Sequence, residues 1–389
     1  MYIQRKFDLP KALERKSCFL FGPRQTGKSS LIRQTLKSAL IYNLLDPDVY
    51  LRLSRSPNRL VEELEAEKSA KGKQPKDHVV VIDEVQKLPV ILDIVHMLIE
   101  EKGIRFLLTG SSARKLRHGG VNLLGGRAVI KHLHPFVSSE LGGKFDLGRA
   151  VNYGLLPSIY LSSAPQEDLD AYVGAYLKEE IASEGLTRNV PAFSRFLEVA
   201  ALCNAQLINY SKIANDAQVA RSTVQEYFEI LKDTLLAYEL RPWKASKKRK
   251  AISTSKMYLF DTGVVRTLQG RSQVRRGTSE FGELFETYIF HELRSFCDYR
   301  GVTELSYWRS QSGLEVDFIL GDETAIEVKG SKTIGRDDLR GLNALKEEKV
   351  FKTYILVSLE QVPRIVDGIE ILPYDVFLTR LWSGEYSHS

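Results

Sequence analysis

Cysteine is scarce in this sequence, and its three copies lack the arrangement that a disulfide framework or a metal site needs. Cys18, Cys203 and Cys297 are odd in number and far apart along the chain. This pattern predicts a protein of the reducing cytoplasm. No stretch of about 18 uninterrupted apolar residues occurs, so no membrane-spanning helix is expected. The opening segment MYIQRKFDLPKALERK also lacks the apolar core of a signal peptide.

A strong excess of charge is absent as well. The formal net charge is only +6, so the composition permits contact with nucleic acid without demanding it. Hydrophobic residues make up 43% of the chain, which is ample for buried cores. The length of 389 residues predicts two to four domains.

The segment CFLFGPRQTGKSSL places a glycine-containing loop between an apolar run and a stretch with helical spacing. It fits G-x-x-x-x-G-K-[ST] through Gly22, Gly27, Lys28 and Ser29. In such a loop the backbone N–H groups and the helix N-terminus face phosphate oxygens. We expect Lys28 to reach the β- and γ-phosphates and the Ser29 hydroxyl to take one Mg2+ position. The residues expected to contact the nucleotide are Gly22, Pro23, Arg24, Gln25, Thr26, Gly27, Lys28, Ser29 and Ser30.

Three short apolar runs follow in the first third of the chain: LIYNLLD, HVVVIDE and IRFLLTGSS. The segment LPVILDIVHMLIEE between the last two has helical spacing, and we expect Gly103 to cap that helix. Near-continuous apolar strands separated by helices predict an α/β fold with a parallel sheet covered on both faces. We assign residues 1–135 to this P-loop core.

Two adjacent acids end the run VVVIDE. Asp83 is expected to hold the Mg2+ shell, and Glu84 to orient or deprotonate the attacking water. The next strand ends LLTGSS and would present Thr109, Ser111 or Ser112 to the same crevice, because ligands gather at this edge of a parallel sheet. Ser111 is the preferred γ-phosphate sensor, and an ordinary hydroxylated turn is the alternative.

Arg127, in LLGGRAVI, is a candidate catalytic arginine finger. Such a group stabilises the charge of a transferring phosphoryl group, and its target could lie on a neighbouring subunit. A surface arginine is the alternative. No NKxD-type guanine-reading sequence occurs, so ATP is favoured over GTP.

The sheet pattern stops near residue 136, where helical patterns take over. We assign residues 136–200 to a helical lid region and residues 201–270 to a winged helix-turn-helix. The latter rests on a short helix, a turn at 217–220, a longer helix from Ser222, and two wing strands in LLAYELRPW and SKMYLFD. Basic residues are expected at the wing tip: Lys244, Lys247, Lys248, Arg249 and Lys250.

The presumed recognition helix leaves the partner of this region open. It carries the acids Glu226, Glu229 and Asp233, which repel phosphate. Only Arg221, Lys232 and the wing-tip residues favour DNA. A protein partner is therefore a full alternative to DNA.

The segment GLEVDFILGDETAIEVKGS predicts a β-hairpin with strands at 315–320 and 324–330. With a three-residue loop, Asp317 falls opposite Glu327, and Lys329 shares the face of Glu327; a two-residue loop would send Asp317 to the other face unless a bulge intervenes. Opposed acids repel, so a divalent cation such as Mg2+ is the obvious reason for their proximity.

The helix in EFGELFETYIFHELRSF adds Glu286, which helical spacing puts on an apolar stripe, while Glu283 turns towards polar neighbours. A carboxylate on a buried stripe suggests a metal or lysine partner. The acids and lysine of this hairpin resemble the D-x(n)-E-x-K pattern of the PD-(D/E)XK nucleases. The C-terminal region, residues 278–389, thus has two interpretations. Glu286, Asp317 and Glu327 hold Mg2+ beside Lys329 in a nuclease, as that resemblance implies, or the four form a buried ion-pair network that does not cut.

The chain resembles the prokaryotic AAA-type P-loop ATPases that carry a winged helix and a C-terminal domain of PD-(D/E)XK, restriction-endonuclease-like fold. The resemblance rests on GPRQTGKSS, LLDPDVYLRL, VVVIDEVQKLP, LLTGSSARKL, LLGGRAVIKHLHPF, FGELFETYIFHEL and SGLEVDFIL with AIEVKGS, in this order. It implies ATP binding and hydrolysis, with residues 22–30 as the P-loop, Asp83 and Glu84 as the Walker B acids and Ser111 on the sensor strand. It also implies Glu286 as the helix acid of the nuclease pattern.

We therefore expect a cytoplasmic protein that binds ATP with Mg2+ and hydrolyses it to ADP and phosphate, and whose nucleotide state controls the winged helix and the nuclease-like domain. Two alternatives stay open: an ATP-regulated, Mg2+-dependent DNA nuclease, and a non-catalytic nucleotide-gated DNA-binding regulator. An oligomer is compatible with the sequence, and no membrane partner is expected.

Overall fold

The structure, a computed structural model, describes residues 2–71, 79–112, 114, 124–176, 189–245, 251–301 and 304–386. The chain divides into two compact units. The first comprises Met1–Pro135 with Asp233–Leu235, and the second comprises Phe136–Lys232 with Leu236–Ser389. The lid, winged-helix and nuclease-like segments assigned from the sequence lie almost entirely in the second unit. None of the described helices is long and apolar enough to cross a bilayer.

The first unit is built on five strands: β1 (Ser17–Phe21), β2 (Leu40–Asn43), β3 (Val79–Asp83), β4 (Arg105–Gly110) and β5 (Ala128–His132). They pair in the order β2-β3-β4-β1-β5, and every pairing is parallel, which confirms the predicted sheet. β1 is buried along its whole length because helices cover the sheet and leave no face for polar side chains.

Helices surround this sheet: α1 (Leu9–Ala12), α2 (Lys28–Thr35), α3 (Pro47–Arg55), α4 (Arg59–Lys71) and α5 (Ile91–Lys102), with short 3-10 helices at Val85–Lys87 and Leu124–Gly126. α5 buries Ile91, Val95 and Leu98 in the same core as Phe19 and Phe106 of the sheet. It ends at Gly103, whose left-handed φ of 63° confirms the predicted glycine cap.

The second unit contains most of the helices: α6 (Ser138–Leu141), α7 (Leu147–Tyr153), α8 (Pro157–Tyr160), α9 (Pro165–Ala171), α10 (Val190–Leu202), α11 (Tyr210–Ala217), α12 (Arg221–Asp233), α13 (Thr262–Leu268), α14 (Ser279–Arg300), α15 (Arg340–Lys346) and α16 (Tyr374–Ser383). Short turns lie at Gly142–Lys144 and Asp337–Leu339, and a π-helical turn at Tyr172–Tyr176. α11 ends at Gln218, which has a left-handed φ of 55°, so the predicted turn between two helices is present.

A second sheet has eight strands: β6 (Ala237–Pro242), β7 (Lys256–Leu259), β8 (Leu305–Arg309), β9 (Glu315–Leu320), β10 (Thr324–Val328), β11 (Thr353–Ser358), β12 (Arg364–Val366) and β13 (Ile369–Pro373). Their order is β12-β13-β11-β10-β9-β8-β6-β7. Helix α14 contacts β7, β8 and β10, and helix α15 contacts β9, β10 and β11.

The two strands expected to form a wing belong to this larger sheet. β6 and β7 pair antiparallel, as a wing would, but β6 also pairs in parallel with β8 through Arg241 and Ser306. The pair therefore does not stand apart from the C-terminal strands, because the second edge of β6 has a partner. Lys244 is exposed. The other four residues of the expected wing tip lie outside the described part of the chain: Lys247, Lys248, Arg249 and Lys250.

The hairpin of β9 and β10 has the register of the three-residue loop, one of the two alternatives that the sequence left open. Leu320 pairs with Thr324 and Phe318 with Ile326, so the loop has three residues. One further step along the ladder puts Asp317 opposite Glu327, because antiparallel partners advance in opposite directions.

We expect close packing of α15 on β9 to make Gly341 irreplaceable. A Cβ on Gly341 would overlap the carbonyl oxygen of Glu315, whereas a Cβ on Gly282, in α14, would meet nothing within 4 Å. Gly341→Ala should therefore lower the free energy of unfolding of the second unit by about 2 kcal/mol. Gly282→Ala is the matched control and should raise it by about 0.5 kcal/mol, because alanine favours a helix. Urea unfolding of both variants measures this, and equal midpoints would contradict it.

Candidate nucleotide site and acid–lysine cluster

The glycine loop lies at the carboxyl edge of the parallel sheet. It follows the end of β1 and leads into α2, and its backbone is left-handed at Gln25 (φ 63°) and Gly27 (φ 93°). Gly27 is the N-cap of α2 and provides no side-chain hydrogen bond to that helix. The first N–H groups of a helix have no acceptor within the helix, so this curled loop presents the amides that a phosphate group fits.

The ammonium of Lys28 lies inside the loop. Its Nζ donates to the carbonyl oxygens of Gly22 at 2.6 Å and Pro23 at 3.1 Å, and Thr26 Oγ1 donates to the same Pro23 oxygen at 2.8 Å. Lys28 is buried. A Cβ on Gly22 would overlap the carbonyl oxygen of Leu133, so this position requires glycine. The loop thus holds a positive charge against its own backbone.

The two acids at the end of β3 differ in backbone conformation. Asp83 completes the strand and its Oδ1 accepts a hydrogen bond from Thr109 Oγ1. Glu84 has φ 61° and ψ 44°, a left-handed conformation that costs a non-glycine residue roughly 1–2 kcal/mol. The amide of Lys87 donates to the Glu84 carbonyl oxygen at 2.9 Å and so stabilises the turn. Backbone strain of this kind is concentrated at functional sites.

Gln86 connects Glu84 to the neighbouring strand. Its Nε2 donates to Glu84 Oε2 at 2.6 Å and to Ser111 Oγ at 3.3 Å. A Cβ on Gly110 would overlap Gln86 Oε1, so the glycine of LLTGSS makes room for this amide. The sequence reasoning did not identify Gln86, although its place two residues after the second acid was a usable signal.

The charges at this edge act on one another. Burial raises the pKa of the Glu84 carboxyl above its ordinary value; Lys28 lowers it, Asp83 raises it, and Arg24 lowers it. The structure thus brings four predicted site residues together: Lys28, Asp83, Glu84 and Ser111. Ser29 and Ser30, at the start of α2, are exposed. Mg2+ usually takes one or two protein oxygens and completes its shell with phosphate and water, so Ser29 and Asp83 fit such an ion.

Arg127 lies at the opposite edge of the sheet. It precedes Ala128, which pairs with Ser17 at the start of β1, so a whole strand separates it from the loop. Five residues of strand span about 16 Å. Its guanidinium pairs with the carboxylate of Glu100. Arg127 therefore does not reach the nucleotide site of its own chain, and a role as an arginine finger would require a second subunit.

Arg5 supports the loop from outside the motif. This side chain is buried, and it donates to the carbonyl oxygens of Thr26 at 2.6 Å, His134 at 2.6 Å and Pro135 at 3.2 Å. It thereby ties the glycine loop to the chain that leaves β5. No sequence pattern marks Arg5, because it lies in a polar segment before the first strand.

A second group of charged side chains lies in the second unit and is called here the acid–lysine cluster. Lys256 Nζ is 3.5 Å from Glu286 Oε1 and 3.9 Å from Asp317 Oδ1, and it also pairs with Glu315. Lys329 Nζ is 2.6 Å from Glu327 Oε1. The sequence suggested a metal or a lysine as the partner of Glu286, and the structure places Lys256 beside it. The complete cluster is Lys256, Glu286, Glu315, Asp317, Glu327 and Lys329.

Sequence reasoning missed Lys256 and Glu315. Lys256 lies in β7, which the sequence assigned to a wing, and β7 approaches the hairpin only because β6 and β8 pair between them. Glu315 begins β9, and a single acid at a strand end carries no pattern of its own.

Burial and mutual repulsion perturb these carboxyl groups. Burial, followed by the charge of Glu286, raises the pKa of Asp317 to about 7. Burial, followed by the charge of Asp317, raises the pKa of Glu327 to about 8. For Lys256, burial lowers the pKa, but Glu286, Asp317 and Glu315 outweigh it and hold the pKa above its ordinary value.

The cluster does not fit the Mg2+ ion suggested from the sequence. In the part of the chain that the structure describes, no group of three or more His, Cys, Asp or Glu residues is arranged to hold a metal ion. The acids instead face ammonium groups.

Three protein families match this chain, each over less than half of it. Residues 14–142 match the AAA domain family, residues 144–275 a domain of unknown function (DUF8612), and residues 281–377 another domain of unknown function (DUF4143). Residues 14–142, which contain the glycine loop and the parallel sheet, are accordingly similar to the AAA domain family.

Relatives extend over nearly the whole chain. The uncharacterized proteins Rv2008c of Mycobacterium tuberculosis and Mb2031c of Mycobacterium bovis are each 26% identical in an alignment 386 residues long, which covers 95% of this chain and 83% of theirs. Among solved structures, Aeropyrum pernix ORC1 in complex with DNA is 13% identical with a TM-score of 0.27, over 65% of this chain and 86% of that one. The replication initiator DnaA bound to AMPPCP and single-stranded DNA is 12% identical with a TM-score of 0.30, over 59% and 90%. TM-scores this low do not support any structural or functional comparison.

We expect Arg5→Met to weaken nucleotide binding at least about tenfold. The substitution leaves three carbonyl oxygens near the loop without their charged donor, and hydrogen bonds to charged groups contribute about 1.5–3 kcal/mol each. Arg15→Met is the matched control, because Arg15 is exposed. Titration with a fluorescent ATP analogue measures both affinities. An unchanged dissociation constant in a folded Arg5→Met protein would contradict a supporting role for this arginine.

Proposed function

We propose that this protein binds ATP at residues 22–30 and hydrolyses it to ADP and phosphate. The proposal rests on one observation: Lys28, Asp83 and Glu84 lie at the same edge of a parallel sheet, close enough for Lys28 and Asp83 to shift the pKa of Glu84. It is supported by the match of the same region to the AAA domain family. A phosphate loop alone binds nucleotide, whereas an acid pair beside it provides for hydrolysis.

The loop and Lys28 bind the triphosphate in this proposal. Amides of the curled loop and of the first turn of α2 donate to phosphate oxygens. Lys28 exchanges the neutral carbonyl oxygens of Gly22 and Pro23 for phosphate oxygens, because charge-assisted hydrogen bonds are the stronger ones. Ser29 and Asp83 would hold Mg2+, which would supply charge that neutralises the triphosphate.

Glu84 orients and deprotonates the attacking water. Gln86 holds its Oε2, which fixes the carboxylate beside Ser111. Ser111 senses the γ-phosphate through its hydroxyl. A general base contributes about 10²–10⁴-fold to a rate, so the assignment of Glu84 has a measurable consequence.

We further propose that the nucleotide state reaches the rest of the chain through Asp233. Ser112, next to the proposed sensor, donates its hydroxyl to the Asp233 carbonyl oxygen at 3.2 Å. Arg114 Nη1 lies 2.9 Å from Asp233 Oδ2. Asp233 is the last residue of α12, the longer helix of the proposed winged helix-turn-helix. DNA and a protein stay equal candidates for the partner of that helix.

We expect Lys28→Ala to abolish ATP binding, and Glu84→Gln to bind ATP while hydrolysis falls by about 10²–10⁴-fold. Lys37→Ala is the control, since Lys37 is exposed in the turn after α2. Phosphate release and fluorescent-nucleotide binding measure the two effects separately. Unchanged hydrolysis in either active-site variant would refute its assignment.

The rate of ATP hydrolysis should also fall as the solution becomes more acidic. The fall should occur at a higher pH than the ordinary pKa of a glutamate would give. Glu84 acts as a base only when ionised, and burial raises its pKa above the ordinary 4.5. The rate is therefore full above the raised pKa and is lost as the pH falls through it. A profile of kcat against pH at saturating ATP should show this acid limb in the wild type. The residual rate of Glu84→Gln should lack it, and an identical limb in that variant would assign the titration to another group.

A further inference from the structure

We infer that the acid–lysine cluster does not bind a divalent cation in this protein, because the Lys256 ammonium serves as the cation of the carboxylates that would hold one. This inference concerns the second unit and is independent of the proposed ATPase activity. Carboxylate oxygens are the protein ligands that Mg2+ and Mn2+ prefer, so four carboxylates on a sheet and a helix would ordinarily attract such an ion. What differs here is a buried lysine, delivered from β7.

Lys256 lies close to an acid of helix α14 and to an acid of strand β9. Its Nζ lies 3.5 Å from Oε1 of Glu286 on α14 and 3.9 Å from Oδ1 of Asp317 on β9. Its side chain is only 4% exposed, so the ammonium has little water to turn to. A dication drawn to these two oxygens would lie beside a buried positive charge. Mutual repulsion in a poorly hydrated site opposes that arrangement strongly.

Glu286 and Asp317 also accept hydrogen bonds from other donors. Tyr258 donates its hydroxyl to Glu286 Oε1 at 2.6 Å, and the ring of Tyr258 is held by stacking on Phe290. The Val328 amide donates to Asp317 Oδ2 at 2.9 Å. A metal ion would have to displace or share these hydrogen bonds, and each of them favours the present position of its carboxylate.

The charge balance shows how little negative charge is left for an ion. Four carboxylates belong to the cluster: Glu286, Glu315, Asp317 and Glu327. Two of the opposing cations are Lys256 and Lys329, and Arg309 is the third, with its Nη1 2.8 Å from Glu315 Oε2. With every carboxylate ionised, four negative and three positive charges leave one negative charge, and the raised pKa values of Asp317 and Glu327 lower the negative charge further. A divalent ion would over-compensate it.

The position of Lys256 is fixed by the fold. Lys256 pairs with Leu240 in the β6–β7 ladder, and its ammonium lies 5.4 Å from the centroid of the Tyr307 ring of β8. The contact with the ring adds a cation–π attraction. The backbone that carries the lysine is thus held by the same sheet that carries Asp317.

Binding of Mn2+ to the full-length protein without nucleotide tests the inference, with free Mn2+ counted by electron paramagnetic resonance. Wild type and Asp317→Asn should bind the same number of Mn2+ ions, because the cluster holds none. Lys256→Met keeps the length of the side chain and removes its charge. It should bind one more Mn2+ ion than the double variant Lys256→Met/Asp317→Asn. The dissociation constant of this additional site should be at least about tenfold below that of any Mn2+ site that the double variant retains.

Lys352→Met is the matched control, because Lys352 pairs with the half-buried Glu323 outside the cluster, and it should gain no site. Loss of one bound Mn2+ in Asp317→Asn relative to the wild type would overturn the inference, and so would the absence of a gain in folded Lys256→Met. If Lys256→Met fails to fold, the comparison of wild type with Asp317→Asn still decides. Neither result depends on ATP hydrolysis.

Discussion

The common carboxyl edge of parallel strands is the constraint on which the proposed nucleotide site depends. β1, β3 and β4 end together, so Lys28, Asp83 and Ser111 meet although more than fifty residues separate the first from the second. Close contacts then fix the details. Gln86 reaches Ser111 past Gly110, which has no side chain to obstruct it, and Glu84 takes a left-handed conformation that ordinary strand ends avoid.

Local patterns carried much of this architecture. Uninterrupted apolar runs predicted buried parallel strands, because a strand that is covered on both faces has no side turned to water, and the match to the P-loop pattern located the turn into α2. The hairpin of β9 and β10 was predicted as well, but its register was left between a two-residue and a three-residue loop, and the structure has the three-residue loop. In each case the sequence pattern that supports the prediction lies within a short stretch of the chain.

The features that the sequence did not predict depend on contacts between residues far apart along the chain. Arg5 and Lys256 contact partners that lie at least 21 and 30 residues away along the chain. Each does so through one side chain that belongs to no recognisable sequence motif. The position of Arg127 differs in kind. It precedes β5, whereas the P-loop follows β1, and these two strands run parallel, so strand direction alone assigns Arg127 to the far edge. The assignment of β6 and β7 to a wing was incomplete because hydrophobic patterning reveals strands and does not reveal how many neighbours each one has.

Continuity of the eight-stranded sheet has a practical consequence for dissecting this protein. The boundary between the regions 144–275 and 281–377 falls between β7 and β8, yet β6 and β8 are hydrogen-bonded neighbours. Excising either region would strip an interior strand of its partner, and bare strand edges associate with other chains. The first region would also carry away the lysine that neutralises the acids of the second. The two regions should therefore be produced as one polypeptide.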